Sequence, residues 1–130
     1  MTKIKNWLMK ADNDLKVANN EINMDEPVTD VICFHAQQCV EKYLKAYLVF
    51  NDIEFRKTHN IAELIELCKE KDPEFSELYR LRIQELTAYA TELRYPEYFY
   101  IPSLEEAKEA INMAERVKDF VLKKLEGDKP

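Results

Sequence analysis

A single glycine, Gly127, occurs in this chain of 130 residues. Sheet-rich folds of this length need many tight turns, and glycine and proline supply much of their turn chemistry. With only five prolines besides, the chain carries few such signals. It therefore favours helices joined by short loops in one domain over residues 1–130, which at this length buries roughly two-thirds of its unfolded surface.

Apolar residues recur at helical spacing in four long stretches and one short stretch. The stretches are 2–22, 28–50, 61–68 (the short one), 73–93 and 104–125. The second is apolar on almost every side, which is typical of a helix in the middle of a bundle. The pattern predicts an all-α fold, an up-and-down antiparallel bundle of four long helices plus one short helix.

Capping boxes mark two of the predicted helix starts. Asn60 is followed by Glu63, and Ser103 by Glu106, the spacing at which the two residues can bond each other's backbone N–H groups. The segment 94–102 between the last two helices holds two prolines and four aromatic residues. It is too interrupted for a helix, and its apolar content indicates either core packing or an interaction surface.

Charge and cysteine usage exclude several classes of protein. The formal net charge of −6 repels a phosphate backbone at long range. Any contact with nucleic acid must therefore be made by a local group of basic residues. No stretch approaches the ~18 apolar residues of a membrane span, and we expect a cytoplasmic protein with no membrane partner. Cys33, Cys39 and Cys68 form no C-x-x-C pair and are expected to be reduced core thiols.

The sequence also lacks the common signatures of cofactor and metal sites. There is no Gly-rich phosphate loop, no H-E-x-x-H and no Glu-x-x-His pair of the kind that builds di-iron sites in bundles. We therefore expect no cofactor, no metal site and no metal-dependent catalysis.

A polar stripe interrupts the otherwise apolar second helix. His35, Gln38, Lys42 and Lys45 are spaced by three and four residues, so their side chains point the same way. Such a stripe either lines a water-filled groove, where it can bind a ligand, or forms the solvent-exposed face of the helix.

Three further residues are candidates for ligand binding. His59 precedes a helix start, where it can titrate near neutral pH or make a local structural bond. Arg94 follows the fourth helix, and its planar guanidinium group can bind a phosphate or stack on the ring of Tyr95. The alternative for Arg94 is an ion pair with Glu92 or Glu97 at a helix end.

Three short blocks, taken in order, resemble the HEPN family: FHAQQCVEK at 34–42, KTHN at 57–60 and LRYP at 93–96. With the flanking helices, the resemblance covers nearly the whole chain. It implies a bundle of four or five antiparallel helices, commonly a homodimer. In prokaryotes such a protein is often paired with a minimal nucleotidyltransferase as toxin and antitoxin, and nucleotide binding is a proposed role.

The resemblance also implies an alternative, since many family members are metal-independent ribonucleases that use an Arg and a His with four to six residues between them. In this sequence the matching positions after Arg94 hold Phe99, Tyr100 and Ile101. A replacement is possible only if folding brings His35 or His59 close to Arg94. We expect His35 near the start of the second helix and His59 beyond its far end, ~30 Å apart along the helix. At most one of the two could therefore act with Arg94 in one subunit.

Three functions follow, and they differ in class. The favoured one is a nucleotide-binding or partner-binding module, the dimeric partner of a nucleotidyltransferase, with candidate ligand residues His35, Gln38, Lys42, His59, Arg94 and Tyr95. The alternative is a metal-independent ribonuclease toxin with a non-standard Arg/His site. The third is a structural helical oligomer without a ligand. Whether the protein is an enzyme stays open, because no adjacent histidine accompanies Arg94.

Overall fold

The computed structural model describes residues 2–91, 93 and 95–127, and no β-strand occurs within these ranges. The predicted all-α fold class is confirmed. Within these ranges the α-helices are α1 (Thr2–Ile22), α2 (Thr29–Phe50), α3 (Ile61–Lys71), α4 (Glu77–Arg80) and α5 (Leu104–Gly127). They are accompanied by the 3₁₀ segments Pro73–Ser76, Ile83–Ala90 and Pro96–Tyr98. None of the described helices is long and apolar enough to cross a membrane.

The second helix lies at the centre of the bundle, as its all-round apolar pattern predicts. Tyr43 and Tyr47 of α2 are fully buried. The Tyr47 ring packs on Phe75 with centroids 4.5 Å apart, and Phe75 in turn meets Phe120 of α5 edge-on at 5.0 Å. These aromatic contacts join α2, the Pro73–Ser76 turn and α5 into one core.

The three cysteines are buried free thiols, which confirms their assignment to the core. Burial is the main reason that the pKa of Cys33 is raised to about 12, and it raises the pKa of Cys39 and Cys68 as well. A thiol that is rarely ionised is a poor nucleophile, so these residues contribute packing.

The prediction of one continuous fourth helix from 73 to 93 is wrong. This stretch is a 3₁₀ turn, the single α-helical turn α4 and a second 3₁₀ segment, Ile83–Ala90. Arg82 between the last two has a positive φ of 62°, which ends the run of helical hydrogen bonds. Ile83 and Leu86 remain buried because residues three apart lie on one side of a 3₁₀ helix. The bundle therefore has three long helices, α1, α2 and α5.

The connection between α2 and α3 corrects the strict up-and-down alternation expected from the sequence. Residues 51–60 run back along α2, where the Thr58 carbonyl accepts a hydrogen bond from Lys45 at 3.2 Å. Further along α3, the Cys68 thiol lies 3.9 Å from the Leu44 carbonyl. His59, before α3, contacts Gln37 and Glu41, whereas Cys68 near the end of α3 contacts Leu44, so α3 runs in the same general direction as α2. Phe55 anchors the connection by packing on Trp7 of α1, with ring centroids 6.1 Å apart.

Both predicted helix caps are formed. Ser103 Oγ accepts from the Glu106 N–H at 3.0 Å, and Glu106 accepts from the Ser103 N–H at 3.3 Å, which completes the box. Asn60 Oδ1 accepts from the Glu63 N–H at 3.1 Å. The Glu63 carboxylate instead binds Arg56 through two hydrogen bonds of 2.9 and 2.6 Å.

Candidate functional site

The polar stripe of α2 faces α1, where a carboxylate lies between two of its members. Asp14 Oδ1 is 2.7 Å from His35 Nδ1, and Asp14 Oδ2 accepts a hydrogen bond from Lys42 Nζ at 2.5 Å. Asp14 is buried, whereas the side chains of His35 and Lys42 are 28% and 23% exposed. We call these three residues the Asp14 cluster. Asp14 therefore holds His35 and Lys42 in place along the groove between α1 and α2, and both side chains stay partly exposed to solvent.

The bond to Asp14 also defines the chemistry of His35. An ionised carboxylate can only accept hydrogen bonds, so Nδ1 of His35 carries the proton that it shares with Asp14. Nε2 makes no hydrogen bond to any described residue. It is therefore the ring nitrogen available to a ligand or to proton transfer.

A second carboxylate, Glu41, organises the neighbouring face of α2. Its Oε1 accepts from Lys45 Nζ at 2.7 Å, and its Oε2 accepts from Gln37 Nε2 at 2.8 Å. His59 Nδ1 lies 3.0 Å from the same Oε2. Glu41 and Lys45 are only 3% and 7% exposed, but the His59 side chain is 54% exposed. We call Gln37, Glu41, Lys45 and His59 the Glu41 cluster.

Glu41 is held in its charged form by these partners. Burial alone would raise its pKa, but the hydrogen bonds from Lys45, His59 and Gln37 together bring the pKa of Glu41 below its ordinary value of 4.5. A buried carboxylate with three donors is stable as an anion. The charge at the centre of this cluster is therefore a fixed feature of the folded protein.

The amide of Gln38 extends the Glu41 cluster along α2. Gln38 Nε2 donates to Gln37 Oε1 at 2.7 Å, and Gln37 Nε2 also lies 3.4 Å from the His59 carbonyl. His59 thus packs beside the middle of α2, so the expectation that it lies beyond the far end of that helix, ~30 Å from His35, is wrong. The turn that His59 contacts is within about 9 Å of His35 along the helix axis. The returning 51–60 connection is the reason.

His35 also lines a cavity of about 210 Å³ at the start of α2. The cavity lies between that helix, the Ile83–Ala90 segment and the connection to α5. Its lining residues are Asp30, Val31, Phe34, His35, Tyr89, Leu93 and Pro102. Arg94 lies outside the described residues, so its predicted role stays a prediction. Leu93, its neighbour in the chain, shares the cavity with His35.

The aromatic connection leading to α5 is mostly exposed. Tyr95, Phe99 and Ile101 are 57%, 83% and 59% exposed, which excludes core packing for these three side chains. Tyr100 donates a hydrogen bond to Glu106 of α5. The exposed apolar side chains lie on the connection that borders the His35 cavity, where a partner surface can cover them.

Asp14, Glu41 and Trp7 were not among the residues predicted from the sequence to form the site. A signal for Asp14 exists, since it lies within the stretch of α1 whose residues Ala11, Leu15 and Ala18 are buried. Glu41 sits four residues from both Gln37 and Lys45, the spacing of side chains that meet on a helix. Among the described residues, no group of three or more His, Cys, Asp or Glu side chains is placed to hold a metal ion.

An antiparallel α1/α2 pair with motif residues fixed by two carboxylates defines a helical domain of a known class. The chain belongs to the HEPN family, since the HEPN domain model matches residues 4–125. It is similar to the protein named Putative toxin MJ1304 from Methanocaldococcus jannaschii, with 32% identity over 138 aligned positions, 92% of this chain and 89% of that relative. It is also similar in structure to ST0689, an archaeal HEPN homologue, with a TM-score of 0.73, 27% identity and coverage of 93% of this chain and 96% of that one.

Proposed function

We propose that this protein is a HEPN module of the toxin–antitoxin type that binds a nucleotide or a protein partner through the groove between α1 and α2. The Asp14 cluster carries the proposal, because a buried carboxylate holds His35 and Lys42 while both side chains stay partly exposed to solvent. Groups fixed in this way lose little conformational entropy when they bind a ligand. The similarity to a relative named as a toxin supports the biological setting.

The proposed assembly is a homodimer that associates with a minimal nucleotidyltransferase. The exposed Tyr95, Phe99 and Ile101 support a protein contact beside the His35 cavity, since aromatic side chains are enriched at the centres of interfaces. In this assembly, the contact would cover the connection between the Ile83–Ala90 segment and α5.

The alternative function is metal-independent cleavage of RNA. It is favoured by one observation, that His35 shares a cavity with Leu93, the residue bonded to Arg94. Nε2 of His35 would transfer the proton while Asp14 holds Nδ1, and Arg94 would stabilise charge on the phosphoryl group. His59 is the second choice of proton donor, because it contacts Glu41 instead of the cavity.

A thermal-shift series tests the proposal. The purified protein is melted with ATP, GTP, AMP or a short single-stranded RNA, first without metal and then with magnesium. Binding well above Kd stabilises the fold by a few kcal/mol, so we expect a shift of several degrees. The shift should be lost in Arg94→Ala and His35→Ala and kept in Arg116→Ala, an exposed arginine of α5.

Each result separates the candidate functions. Metal-independent RNA cleavage that disappears in both Arg94→Ala and His35→Ala would establish the alternative. No shift with any ligand would direct the test to co-purification after co-expression with a minimal nucleotidyltransferase. A protein that neither shifts nor co-purifies would contradict the proposal and leave the structural oligomer.

A further inference from the structure

A second depression opens two turns along α2 from His35. It has a volume of about 410 Å³ and is bordered by Asn6, Trp7, Lys10 and Lys42. Lys42 belongs to the Asp14 cluster as well, so the depression and the cluster share one cation. The volume falls within the range of small-molecule sites.

The indole of Trp7 is held in place at this depression. The ring of Phe55 packs against the indole with an interplanar angle of 68°. Lys45 Nζ lies 5.7 Å from the ring centroid and is itself held by hydrogen bonds to Glu41 and Thr58. Packing from two neighbours limits the rotamers of the ring. A fixed aromatic surface binds a planar group at low entropic cost.

The charge around the ring is positive. Lys10 is exposed and makes no ion pair within the described part of the chain, whereas the charge of Lys42 is offset by Asp14. Lys10 therefore has all three N–H donors available to an anion. The Asn6 amide adds both a donor and an acceptor, which suits the edge of a base.

We propose that this depression binds one nucleoside phosphate unit, with its base against Trp7 and its phosphate on Lys10 and Lys42. The unit is either a free nucleotide or a residue of single-stranded RNA, which share this chemistry. An acidic peptide would also satisfy the lysines, but a peptide of acidic residues has no planar ring to place against the indole face. The inference rests on the proposed nucleotide-binding function and adds a location for the ligand.

Trp7 is the one tryptophan of the chain, so its fluorescence reports on this depression alone. The experiment titrates the protein with 5′-AMP, adenosine, an eight-residue oligoadenylate and a glutamate hexapeptide. We expect saturable quenching by 5′-AMP and the oligoadenylate, with adenosine binding about tenfold more weakly because it lacks the charged hydrogen bonds. Lys10→Ala should weaken the binding of 5′-AMP about tenfold. The control Lys16→Ala should leave this binding unchanged, because Lys16 is an exposed lysine of α1 outside the depression.

The two sources are distinguished by affinity and salt. If oligoadenylate binds more tightly than 5′-AMP and its affinity falls steeply with salt, the ligand is single-stranded RNA. If the two affinities are equal, the ligand is the free nucleotide. The site is overturned if nothing quenches, if adenosine equals 5′-AMP, if Lys10→Ala equals wild type, or if the glutamate peptide quenches as strongly. Stabilisation by 5′-AMP that is lost in Arg94→Ala but leaves Trp7 fluorescence unchanged would overturn this site and keep the proposed function.

Discussion

The Glu41 and Asp14 clusters have the same composition at their centres, a carboxylate that contacts one histidine and one lysine. They differ in burial. In the Glu41 cluster the carboxylate and Lys45 are both closed off from solvent, whereas in the Asp14 cluster only the carboxylate is. The same groups therefore occur in two settings: one cluster fastens the 51–60 connection to α2, and the other leaves His35 and Lys42 partly exposed beside α1.

Burial decides how much each ion pair contributes. Charges that keep access to water interact weakly and lose little when a partner is removed, since solvent takes over. A charge left alone in the interior has no such replacement. The comparison therefore predicts large stability effects at Glu41 and small ones at Asp14, although the two sets of hydrogen bonds have similar lengths.

The largest effect is expected from Glu41→Gln. The substitution keeps the volume but leaves the Lys45 ammonium buried without its counter-charge, and it weakens the contact that fixes His59. We expect a loss of about 3 kcal/mol in the free energy of unfolding at pH 7, measured by urea denaturation.

The matched control for that measurement is Glu115→Gln on the exposed face of α5, which should change stability by less than about 0.5 kcal/mol. A loss below about 1 kcal/mol in Glu41→Gln would mean that Lys45 reaches solvent in the variant. The Glu41 cluster would then be as open as the Asp14 cluster, and the comparison would fail.

The stabilisation from Glu41 should also depend on pH. Because the folded pKa of Glu41 is lowered from 4.5, its contribution is complete above that value and is lost as the pH falls through the folded pKa. A protonated Glu41 carries no charge, like Gln, so the stability difference between wild type and Glu41→Gln should shrink as the pH falls below 4.5. Urea denaturation of both proteins at several pH values between 7 and 3 measures this difference.

Other carboxyl groups with lowered pKa values titrate in the same range, among them Asp72, Glu77 and Glu106. Both proteins contain them, so they cancel in the difference between the two curves. A difference that stays constant from pH 7 to 3 would show that the charge of Glu41 is not what stabilises the cluster.

Local features of this fold were predictable from the sequence, and long-range ones were not. The cap at Ser103 depends on two residues three positions apart, and the burial of α2 follows from its own composition. The return of residues 51–60 along α2 depends on Phe55 meeting Trp7, which is 48 positions away in the chain, and no periodicity encodes that contact.

The same distinction explains the candidate site. The spacing of His35 and Lys42 places them on one face of α2, but the carboxylate that both contact, Asp14, comes from another helix. The break at Arg82 had no signal either, because an arginine seldom adopts a positive φ and the apolar spacing continues across it. Tertiary packing overrides helical propensity at that position.

The smallest effect is expected from Asp14→Asn. His35 and Lys42 lose a charged partner but can turn to solvent, and the asparagine oxygen can still accept one hydrogen bond. We expect a loss of about 1 kcal/mol by urea denaturation at pH 7, and almost none in the control Asp25→Asn, an exposed aspartate beyond α1.

Salt makes the test of Asp14 decisive. Since the Debye length falls from about 10 Å at 0.1 M to about 3 Å at 1 M ionic strength, the loss in Asp14→Asn should shrink in high salt, because its partners are partly exposed. The loss in Glu41→Gln should persist, because buried charges are screened much less. If Asp14→Asn instead costs as much as Glu41→Gln and is equally insensitive to salt, the Asp14 cluster is a closed structural contact. His35 and Lys42 would then be unavailable to a ligand, and the proposal of a binding site between α1 and α2 would fail.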